Sequence, residues 1–260
     1  ELGPTVAVAA PLRSRGMKRG AGEAFGDRGH GGPRRKGEFT LIPGDSGVPK
    51  APYGFKILCT EGLTTLLLGS RGMVKNAIQA ETGAKLVFSN KGDFFPSTSF
   101  RVLGVYADGY PCILRALDKV LARLVELGES ERGKPIREQE TVLGKEPGEY
   151  ILRFCLTRQM AGLLIGTGGT RVQSIRRETN TKVFIENDTV MGHRLVRVIG
   201  VPGAIMSCLD LVGEMVQQDT SSPEYPLYLH CVNFGEAAAQ GWDFDSAAGI
   251  EGGGGPRRAE

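Results

Sequence analysis

The sequence LGSRGMVKNAIQAETGAKL at residues 68–86 recurs as IGTGGTRVQSIRRETNTKV at residues 165–183. Each copy contains a tetrapeptide with glycine at both ends, Gly69–Gly72 in the first copy and Gly166–Gly169 in the second. A repeat of this length indicates a duplicated structural unit. Each glycine tetrapeptide therefore belongs to a fold and is not an isolated motif.

The similarity continues on both sides of the tetrapeptides. The copies match at an offset of 97 positions as far as Asn90 and Asn187, and at an offset of 96 where Gly104 is aligned with Gly200. This alignment predicts that the second copy has one loop residue fewer than the first.

The hydrophobic patterns predict the same order of elements, β-α-α-β-β-α, in both copies. Leu63, Leu66 and Leu67, for example, recur at the i, i+3, i+4 spacing of a helix. In the first copy we predict strands and helices at Phe55–Thr60, Glu61–Leu68, Met73–Thr82, Lys85–Asn90, Phe100–Val105 and Tyr110–Leu127. In the second copy we predict them at Tyr150–Thr157, Gln159–Ile165, Thr170–Thr179, Thr181–Glu186, Arg194–Gly200 and Pro202–Gln217. The predicted fold class is α+β, with three helices packed on a three-stranded antiparallel sheet in each copy.

The two copies are expected to form separate domains in a chain with disordered termini. The predicted segments are a basic Gly/Arg-rich arm at 1–52, a first domain at 53–127, a flexible linker at 128–148, a second domain at 149–218 and an acidic Gly-rich tail at 219–260. A flexible linker of this length has a mean reach of roughly 25 Å. The domains would then bind separate sites or two stretches of one strand.

The two ends differ in charge. Residues 13–36 hold eight Lys/Arg and two acidic residues, a net charge of +6, whereas residues 219–260 hold seven acidic residues and two arginines, a net charge of −5. The Arg-Gly dipeptides of the arm are typical of segments that bind RNA, and the alternative is a solubilising tail. Trp242, the only tryptophan of the chain, is either part of a protein-binding motif in the acidic tail or an incidental aromatic residue.

Several classes of function find no support in the sequence. The five cysteines lack a C-x-x-C pair and the three histidines are scattered, so we expect buried reduced thiols and no metal site. The glycine tetrapeptides fit neither the P-loop nor the dinucleotide-binding pattern, so no cofactor is expected. No run of about 18 apolar residues is present, and no membrane span is expected. Neither repeat contains paired carboxylates or a nucleophile with a base, so no catalytic activity is expected.

A glycine tetrapeptide between two helices allows the backbone of another molecule to approach closely. Glycine places no side chain in the way, and the helix that follows presents free N–H groups and a positive dipole end that favour phosphate. Arg71 lies inside the first tetrapeptide and Arg171 follows the second, and both add positive charge. The combination predicts a phosphate-binding turn in each copy.

The two sequence segments around the glycine tetrapeptides resemble the KH (K homology) family of type I, as found in the poly(C)-binding and Nova-like RNA-binding proteins. The resemblance rests on Leu68–Gly72 with Thr82–Leu86, and on Ile165–Gly169 with Thr179–Val183. It implies that a short stretch of single-stranded RNA, or of single-stranded DNA, lies in a groove in which the glycine turn clamps its backbone. It implies two type I KH domains, an action in post-transcriptional regulation of mRNA, and a place in the nucleus, the cytoplasm or both.

Carried over position by position, the resemblance assigns most of the groove to the second copy. There Arg176 and Arg194 match arginines that contact pyrimidine edges in the poly(C)-binding proteins, which implies a preference for pyrimidine-rich, notably C-rich, strands. The first copy has Gln79 and Thr98 at the positions aligned with them. The implied RNA-binding residues are Gly69, Ser70, Arg71, Gly72, Lys75, Lys85 and Phe88 in the first copy, and Gly162, Ile165, Gly166, Thr167, Gly168, Gly169, Arg171, Val172, Arg176, Lys182, Ile185 and Arg194 in the second.

Two hypotheses for function remain at this point. In the first, the chain is an RNA-binding protein without catalytic activity. In the second, it is a protein-interaction scaffold in which one or both grooves no longer bind nucleic acid and the terminal tails recruit protein partners. Lys75, at a position that is usually apolar, favours the second hypothesis for the first copy, and Phe88 is either a base-stacking residue or a core aromatic residue.

Overall fold

The computed structural model describes residues 51–138, 140–218 and 225–239, and it confirms the predicted order of elements in both repeats. The first repeat consists of β1 (Tyr53–Cys59), α1 (Glu61–Leu68), α2 (Met73–Thr82), β2 (Lys85–Phe88), β3 (Arg101–Ala107) and α3 (Tyr110–Glu131). The second consists of β4 (Tyr150–Thr157), α4 (Arg158–Ile165), α5 (Thr170–Thr179), β5 (Lys182–Ile185), β6 (His193–Gly200) and α6 (Pro202–Gln218). Two short helices follow, α7 (Tyr225–His230) and α8 (Phe234–Ala239).

Equivalent residues begin and end the helices of the two repeats. The hydroxyl of Thr60 accepts a hydrogen bond from the Leu63 N–H at 3.2 Å, and the hydroxyl of Thr157 accepts one from the Met160 N–H at 3.2 Å. Each satisfies an N–H group that would otherwise lack a partner in the first turn. At the other end, α2 stops at Gly83 and α5 at Asn180, both in the left-handed conformation. Glycine and asparagine are the residues that tolerate this conformation best.

The six strands form one antiparallel sheet in the order β2-β3-β1-β4-β6-β5. The two repeats join where β1 pairs with β4, with Ile57 opposite Phe154 and Leu58 opposite Arg153. This differs from the expectation of two separate three-stranded sheets on a flexible linker. Most apolar side chains on these central strands are buried, with Tyr53 and Ile151 half-buried, so continuing the sheet removes an apolar edge from water.

Helices α1 to α6 pack on one face of the sheet and bury the predicted apolar stripes. Helices α3 and α6 meet where the Tyr110 hydroxyl donates a hydrogen bond to the Asp210 carbonyl oxygen at 2.8 Å. Gly213 makes this approach possible, because a Cβ atom at that position would lie 2.4 Å from the Tyr110 hydroxyl oxygen. The helices thus hold the two repeats together on the side opposite to the free face of the sheet.

The segment predicted as a flexible linker, residues 128–148, is largely engaged with its neighbours. Residues 128–131 continue α3, because Gly128 is buried against the ring of Tyr150 and the side chain of Leu143. Further along, Val142 is buried and its carbonyl oxygen accepts a hydrogen bond from the Ile151 N–H at 2.7 Å. Sequence patterns predict that the helix ends at Leu127, since the glycine that follows usually stops a helix. Here the missing side chain makes room for a tyrosine.

The second face of the sheet, opposite α1 to α6, is called the helix-free face. Helices α7 and α8 cover its first-repeat half, where the side chains of Tyr228 and Phe234 are fully buried. The Tyr228 hydroxyl accepts a hydrogen bond from the Lys56 N–H at 3.1 Å, and the Asp93 carboxylate accepts one from the Gly235 N–H at 2.9 Å. Residues 225–239 therefore differ from the disordered tail that composition predicted, because their apolar residues find an uncovered sheet.

The sheet register corrects the alignment of the repeats. In the first repeat Lys85 lies opposite Tyr106, and in the second the equivalent Lys182 lies opposite Ile199. The last two strands therefore align Arg101 with Arg194, and the expected equivalence of Arg194 with Thr98 is wrong. The error arose because Gly104 and Gly200 were assumed to be equivalent, whereas strand pairing, not residue identity, sets the register.

Other predictions can be placed more briefly. Cys59, Cys155, Cys208 and Cys231 are buried free thiols, as expected, and Cys112 is half-buried. Among the described residues, no helix combines the length and apolar character needed to span a bilayer. The basic arm up to residue 50, Trp242 and the glycine run at 252–255 lie outside the described residues.

Candidate functional site

Each glycine tetrapeptide forms a short 3-10 turn between two helices. The turns comprise Ser70–Gly72 and Thr167–Gly169. In both, the first glycine has a positive φ and an extended ψ, and the last glycine has the left-handed conformation that begins the next helix. Both turns are closed by the same hydrogen bond, from the N–H of the last glycine to the carbonyl oxygen of the first. The sequence thus specifies one turn geometry twice.

The first glycine of each turn is needed for packing. A Cβ atom on Gly69 would lie 2.4 Å from Cγ2 of Val74, and one on Gly166 would lie 2.8 Å from Cβ of Arg171. Both positions also have a φ that side chains rarely adopt. These two glycines allow the turn to fold against the first turn of the following helix.

The middle of each turn is open to solvent. Ser70, Arg71, Thr167 and Gly168 are exposed, and a Cβ atom on Gly168 would meet no atom within 4 Å. Gly72, which closes the first turn, likewise has open space where a Cβ would be. Another backbone can therefore approach both turns to contact distance.

In the second repeat, Arg171 directly follows the turn, Arg176 lies in the last turn of α5 and Arg194 lies in β6, and each is held by a backbone carbonyl or a hydroxyl. Arg171 donates from Nη1 to the Leu163 carbonyl oxygen at 3.3 Å, and Arg176 donates from Nε to the Val183 carbonyl oxygen at 3.0 Å. Arg194 donates from Nε to the hydroxyl of Thr189 at 3.3 Å. None of these contacts is an ion pair, so the guanidinium groups keep their positive charge available.

Apolar residues complete the wall between these arginines. Val172 is buried, whereas Ile165 and Ile185 are half-buried and Gly162 is exposed with open space around it. Strand alternation places Ile185 on the same side of β5 as the buried Val183, beneath α5. We call the surface formed by the turn, α4, α5 and the Ile185 end of β5 the second groove. The structure brings together there the positions Gly162, Ile165, Gly166–Gly169, Arg171, Val172, Arg176, Ile185 and Arg194.

The equivalent surface of the first repeat, formed by its glycine turn, α1, α2 and the Phe88 end of β2, is called the first groove. Its side chains are engaged more closely with the protein itself. Gln79, at the position of Arg176, accepts a hydrogen bond from the Leu86 N–H at 2.9 Å. Phe88 is half-buried against the core, and the guanidinium of Arg101 lies 5.8 Å from its ring centre. Arg101 is only 9% exposed and donates to the Ser89 carbonyl oxygen. Lys75 is half-buried beside the turn.

The two strand lysines lie apart from both grooves. Lys182 and Phe184 alternate with buried Val183, so both point to the helix-free face. The Lys182 ammonium group lies 2.8 Å from the Glu149 carboxylate. Lys85 has the matching position in β2, next to buried Leu86, and so lies on the same face. The structure does not bring either lysine together with the glycine turns.

Two exposed apolar residues beside the turns were missed in the sequence. Met73 follows the first turn and is 69% exposed, and Leu163 precedes the second and is 40% exposed. Both lie outside the buried stripes of their helices, which include Ile78 in α2 and Leu164 in α4. An apolar residue at a position that helical spacing leaves outside is the signal that could have identified them.

In the described part of the chain, no cluster of three His, Cys, Asp or Glu side chains that could hold a metal ion occurs. The buried thiols are unreactive in character, since burial raises the pKa of Cys155 and of Cys208 to about 11. What the site offers is an exposed backbone turn, positive charge and an apolar wall.

The comparisons with known proteins agree with this arrangement. The family model described as KH domain matches residues 151–214. The chain is 25% identical over 196 residues to RNA-binding protein Nova-2 of Homo sapiens, which covers 73% of this chain and 38% of Nova-2. It is 24% identical over 157 residues to RNA-binding protein Pasilla of Drosophila melanogaster, covering 57% of this chain and 19% of Pasilla.

A third relative is PAB1-binding protein 2 of Saccharomyces cerevisiae, 26% identical over 155 residues that cover 58% of this chain and 33% of the relative. The matched part thus spans well under half of each of these proteins. The family match falls on the second repeat, and the first repeat shares its element order and its glycine turn. Residues 151–214 therefore match the KH domain family, and the first repeat resembles it in element order and in its glycine turn.

Proposed function

We propose that this chain binds single-stranded RNA, or single-stranded DNA of similar sequence, and has no catalytic activity. The second groove is its main site. The observation that carries the proposal is the open turn at Gly168, where an added Cβ atom would meet no other atom within 4 Å and a ligand backbone can approach the protein backbone. Arg171 follows that turn, and Arg176 of α5 and Arg194 of β6 add positive charge to the second groove; none of the three forms an ion pair with a carboxylate among the described residues, and a polyanion is the natural ligand for them.

The arginines also support a preference among bases. Arg176 and Arg194 lie on the two sides of the half-buried Ile185, on α5 and on β6. Guanidinium groups are donors only, and pyrimidine edges, cytosine above all, present adjacent acceptors. A pyrimidine ring over Ile185 would meet both arginines, so we expect C-rich strands to bind best. Two of the relatives, Nova-2 and Pasilla, are named as RNA-binding proteins, which fits this role. We infer an action on mRNA in the nucleus, the cytoplasm or both.

The decisive experiment places negative charge on the open turn without changing its shape. The double variant Thr167→Asp with Gly168→Asp should lower affinity for a C/U-rich oligonucleotide at least tenfold, because carboxylates would face phosphates. The matched control is Thr167→Asn with Gly168→Asn, which has nearly the same size and equal tolerance of the left-handed φ at residue 168. Equal binding by both variants in a fluorescence-anisotropy titration would show that the second groove is not the site.

Salt dependence separates this proposal from binding of a protein in the same groove. Phosphate contacts release counterions, so the affinity should fall steeply and linearly with the logarithm of salt concentration. The Asp variant should show a shallower slope than the Asn control. An apolar protein contact would leave the slope near zero.

A second function is favoured for the first repeat. A cavity of about 490 Å³ lies between α2 and α3, lined by Met73, Val74 and Ala77 and flanked by the ion pair of Lys119 with Glu81. An exposed methionine beside an apolar cleft is typical of protein-binding surfaces. The first repeat would then bind a protein partner through this cleft, in addition to any partners of the terminal tails.

The two roles of the first repeat can be told apart by a pair of variants. Ser70→Asp with Arg71→Asp should reduce RNA binding only if the first turn contacts the strand, whereas Ser70→Asn with Arg71→Asn serves as the control. Loss of RNA affinity confined to the Asp variant would assign the first repeat to RNA. Unchanged RNA affinity would leave the cleft at Met73 as its functional surface.

A further inference from the structure

The second-repeat half of the helix-free face contains a cavity of about 760 Å³. Its floor is formed by side chains of β4, β5 and β6, and its walls include residues 97–100 and Thr141. The equivalent half of the first repeat lies beneath α7 and α8. A cavity of this volume is large enough to hold a ligand.

An aromatic ring and a guanidinium group form an open platform in this cavity. Phe184 of β5 is 44% exposed, and the guanidinium carbon of Arg197 lies 5.6 Å from the centre of its ring. Leu195 and Ile199 of β6 lie half-buried in the same lining. Nucleic-acid bases stack on exposed aromatic rings, and a neighbouring arginine strengthens such a site. The platform therefore has the chemistry of a base-stacking surface.

A second arginine lies beside this platform. Arg153 is directly opposite Arg197 in the β4–β6 register and is only 5% exposed. Its guanidinium donates to the Thr141 carbonyl oxygen at 3.0 Å. Burial and the charge of Arg197 lower the pKa of Arg153 to about 10, so the group stays positively charged at neutral pH. Like charges at directly opposite positions repel each other, and an anion bound beside both would offset that repulsion.

The carboxylates of the cavity do not balance its positive charge. Two of them are already paired, Glu149 with Lys182 at 2.8 Å and Glu186 with Arg197 at 2.9 Å. Arg153 and Lys145, which also line the cavity, form no ion pair among the described residues. The third carboxylate of the lining is Glu138. In addition, the buried Nε atom of Arg197 has no hydrogen-bond partner among the described residues. The cavity thus retains an excess of positive charge and an unused donor, both of which fit a phosphate group.

The cavity and the second groove share strand β5. Ile185 faces the groove, and Phe184, the preceding residue, faces the cavity, because successive side chains of a strand point to opposite sides. Strand β5 is the last strand of the sheet on this side, so no further strand separates the two surfaces. A ligand chain held in the groove can therefore pass over this edge to the helix-free face.

We propose that single-stranded RNA leaving the second groove crosses the edge of β5 and continues in this cavity. A base stacks on Phe184, and a phosphate group lies at Arg153 and Arg197. The inference rests on the proposed RNA binding by the second groove, and it lengthens the bound stretch beyond the four nucleotides that a KH groove clamps. Stacking and phosphate contacts tolerate any base, so the cavity contributes affinity and little base preference.

The test compares a four-nucleotide C/U-rich core with the same core extended by about six adenosines at its 5′ or its 3′ end. Adenosines stack well but offer no second C/U-rich site. Extension from at least one end should raise the affinity of the full chain about fivefold or more in a fluorescence-anisotropy titration. Phe184→Ser and Arg197→Gln should each remove this gain and leave the affinity for the core unchanged, which also shows that the variants fold.

Two matched variants serve as controls. Phe184→Tyr retains an aromatic ring and should keep the gain. Arg123→Gln removes a surface arginine of α3, which does not line the cavity, and should keep it as well.

The contrary outcomes separate this inference from the proposed function. A core that binds but gains nothing from either extension overturns the inference alone, whereas a core that does not bind overturns both. A gain that survives in Phe184→Ser and Arg197→Gln means that the RNA follows another path, and it overturns the inference. So does the absence of any gain combined with binding of a Glu–Tyr copolymer that Phe184→Ser abolishes, since an acidic protein partner would then occupy the cavity.

Discussion

At the scale of single residues, the glycines of the turns have two distinct tasks. Gly69 and Gly166 are required by packing, since a side chain would collide with the next helix. Gly168 is free of neighbours, and its lack of a side chain only keeps the surface open. The amino-acid sequence has glycine at all three positions and does not distinguish the two tasks. Coordinates are needed to separate the residue that forms the turn from the residue that admits a ligand.

His193 gives a prediction at this scale. The side chain is buried, and burial and the nearby charge of Lys56 lower its pKa from 6.5 to about 3. The folded protein keeps His193 neutral, whereas the unfolded chain takes up a proton as the pH falls through 6.5. The free energy of unfolding should therefore fall between about pH 6.5 and pH 3, by at most about 1.4 kcal/mol per pH unit.

The measurement compares urea unfolding of the protein and of His193→Gln over this pH range. The glutamine variant removes the titrating group, so its stability should depend less on pH than that of the parent. Parallel pH profiles for the two proteins would contradict the prediction, because carboxylate titration alone would then explain the acid sensitivity.

At the scale of elements, small residues decide where helices and strands meet. Gly128 lets Tyr150 pack against the last turns of α3, and Gly213 lets Tyr110 cross from α3 to α6. The β1–β4 pairing and the α3–α6 contact then hold both repeats in one arrangement. A pair of glycines in the interior of helices is usually a weakness. Here each glycine is the site of an interhelical or helix–sheet contact.

A matched pair of substitutions in α6 tests this role. Gly213→Ala should destabilise the protein by about 1–3 kcal/mol, because the added methyl group would overlap the Tyr110 ring. Gly203→Ala, in the same helix but with no atom within 4 Å of the added Cβ, should be neutral or slightly stabilising. Thermal and urea unfolding report both values. Equal stability of the two variants would mean that the α3–α6 contact is not as close as described.

At the scale of the whole molecule, the single sheet fixes the distance between the two grooves. The grooves are built on β2 and β5, the outermost strands of the sheet. Five strand-to-strand steps of about 4.8 Å separate them by about 24 Å. The two sites thus lie at opposite edges of one sheet, and a flexible linker does not set their separation.

This geometry predicts a threshold in the binding of tandem RNA. An oligonucleotide with two C/U-rich sites should gain affinity from the second site only when its spacer can bridge about 24 Å between the outer strands. Titrations with a series of spacer lengths, using Ser70→Asp with Arg71→Asp as the single-site control, measure the threshold. A smooth dependence without a threshold would indicate that the repeats move independently, and no gain at any length would mean that the first repeat does not bind RNA.

The duplicated unit, the element order, the glycine turns and the buried stripes could all be predicted from the amino-acid sequence. These features depend on local spacing and on backbone conformations that only certain residues adopt, such as the left-handed ends at Gly83 and Asn180. The alignment of Arg101 with Arg194 was out of reach, because loop length and strand register are set by pairing between distant residues.

Three features could be seen only in the folded chain: the repeats share one sheet, residues 225–239 cover the first-repeat half of its helix-free face, and Lys85 and Lys182 lie away from the grooves. Each of these depends on which apolar surface meets which other surface. The hydrophobic effect is non-directional, so a sequence shows how much apolar surface must leave water but not which other surface will cover it.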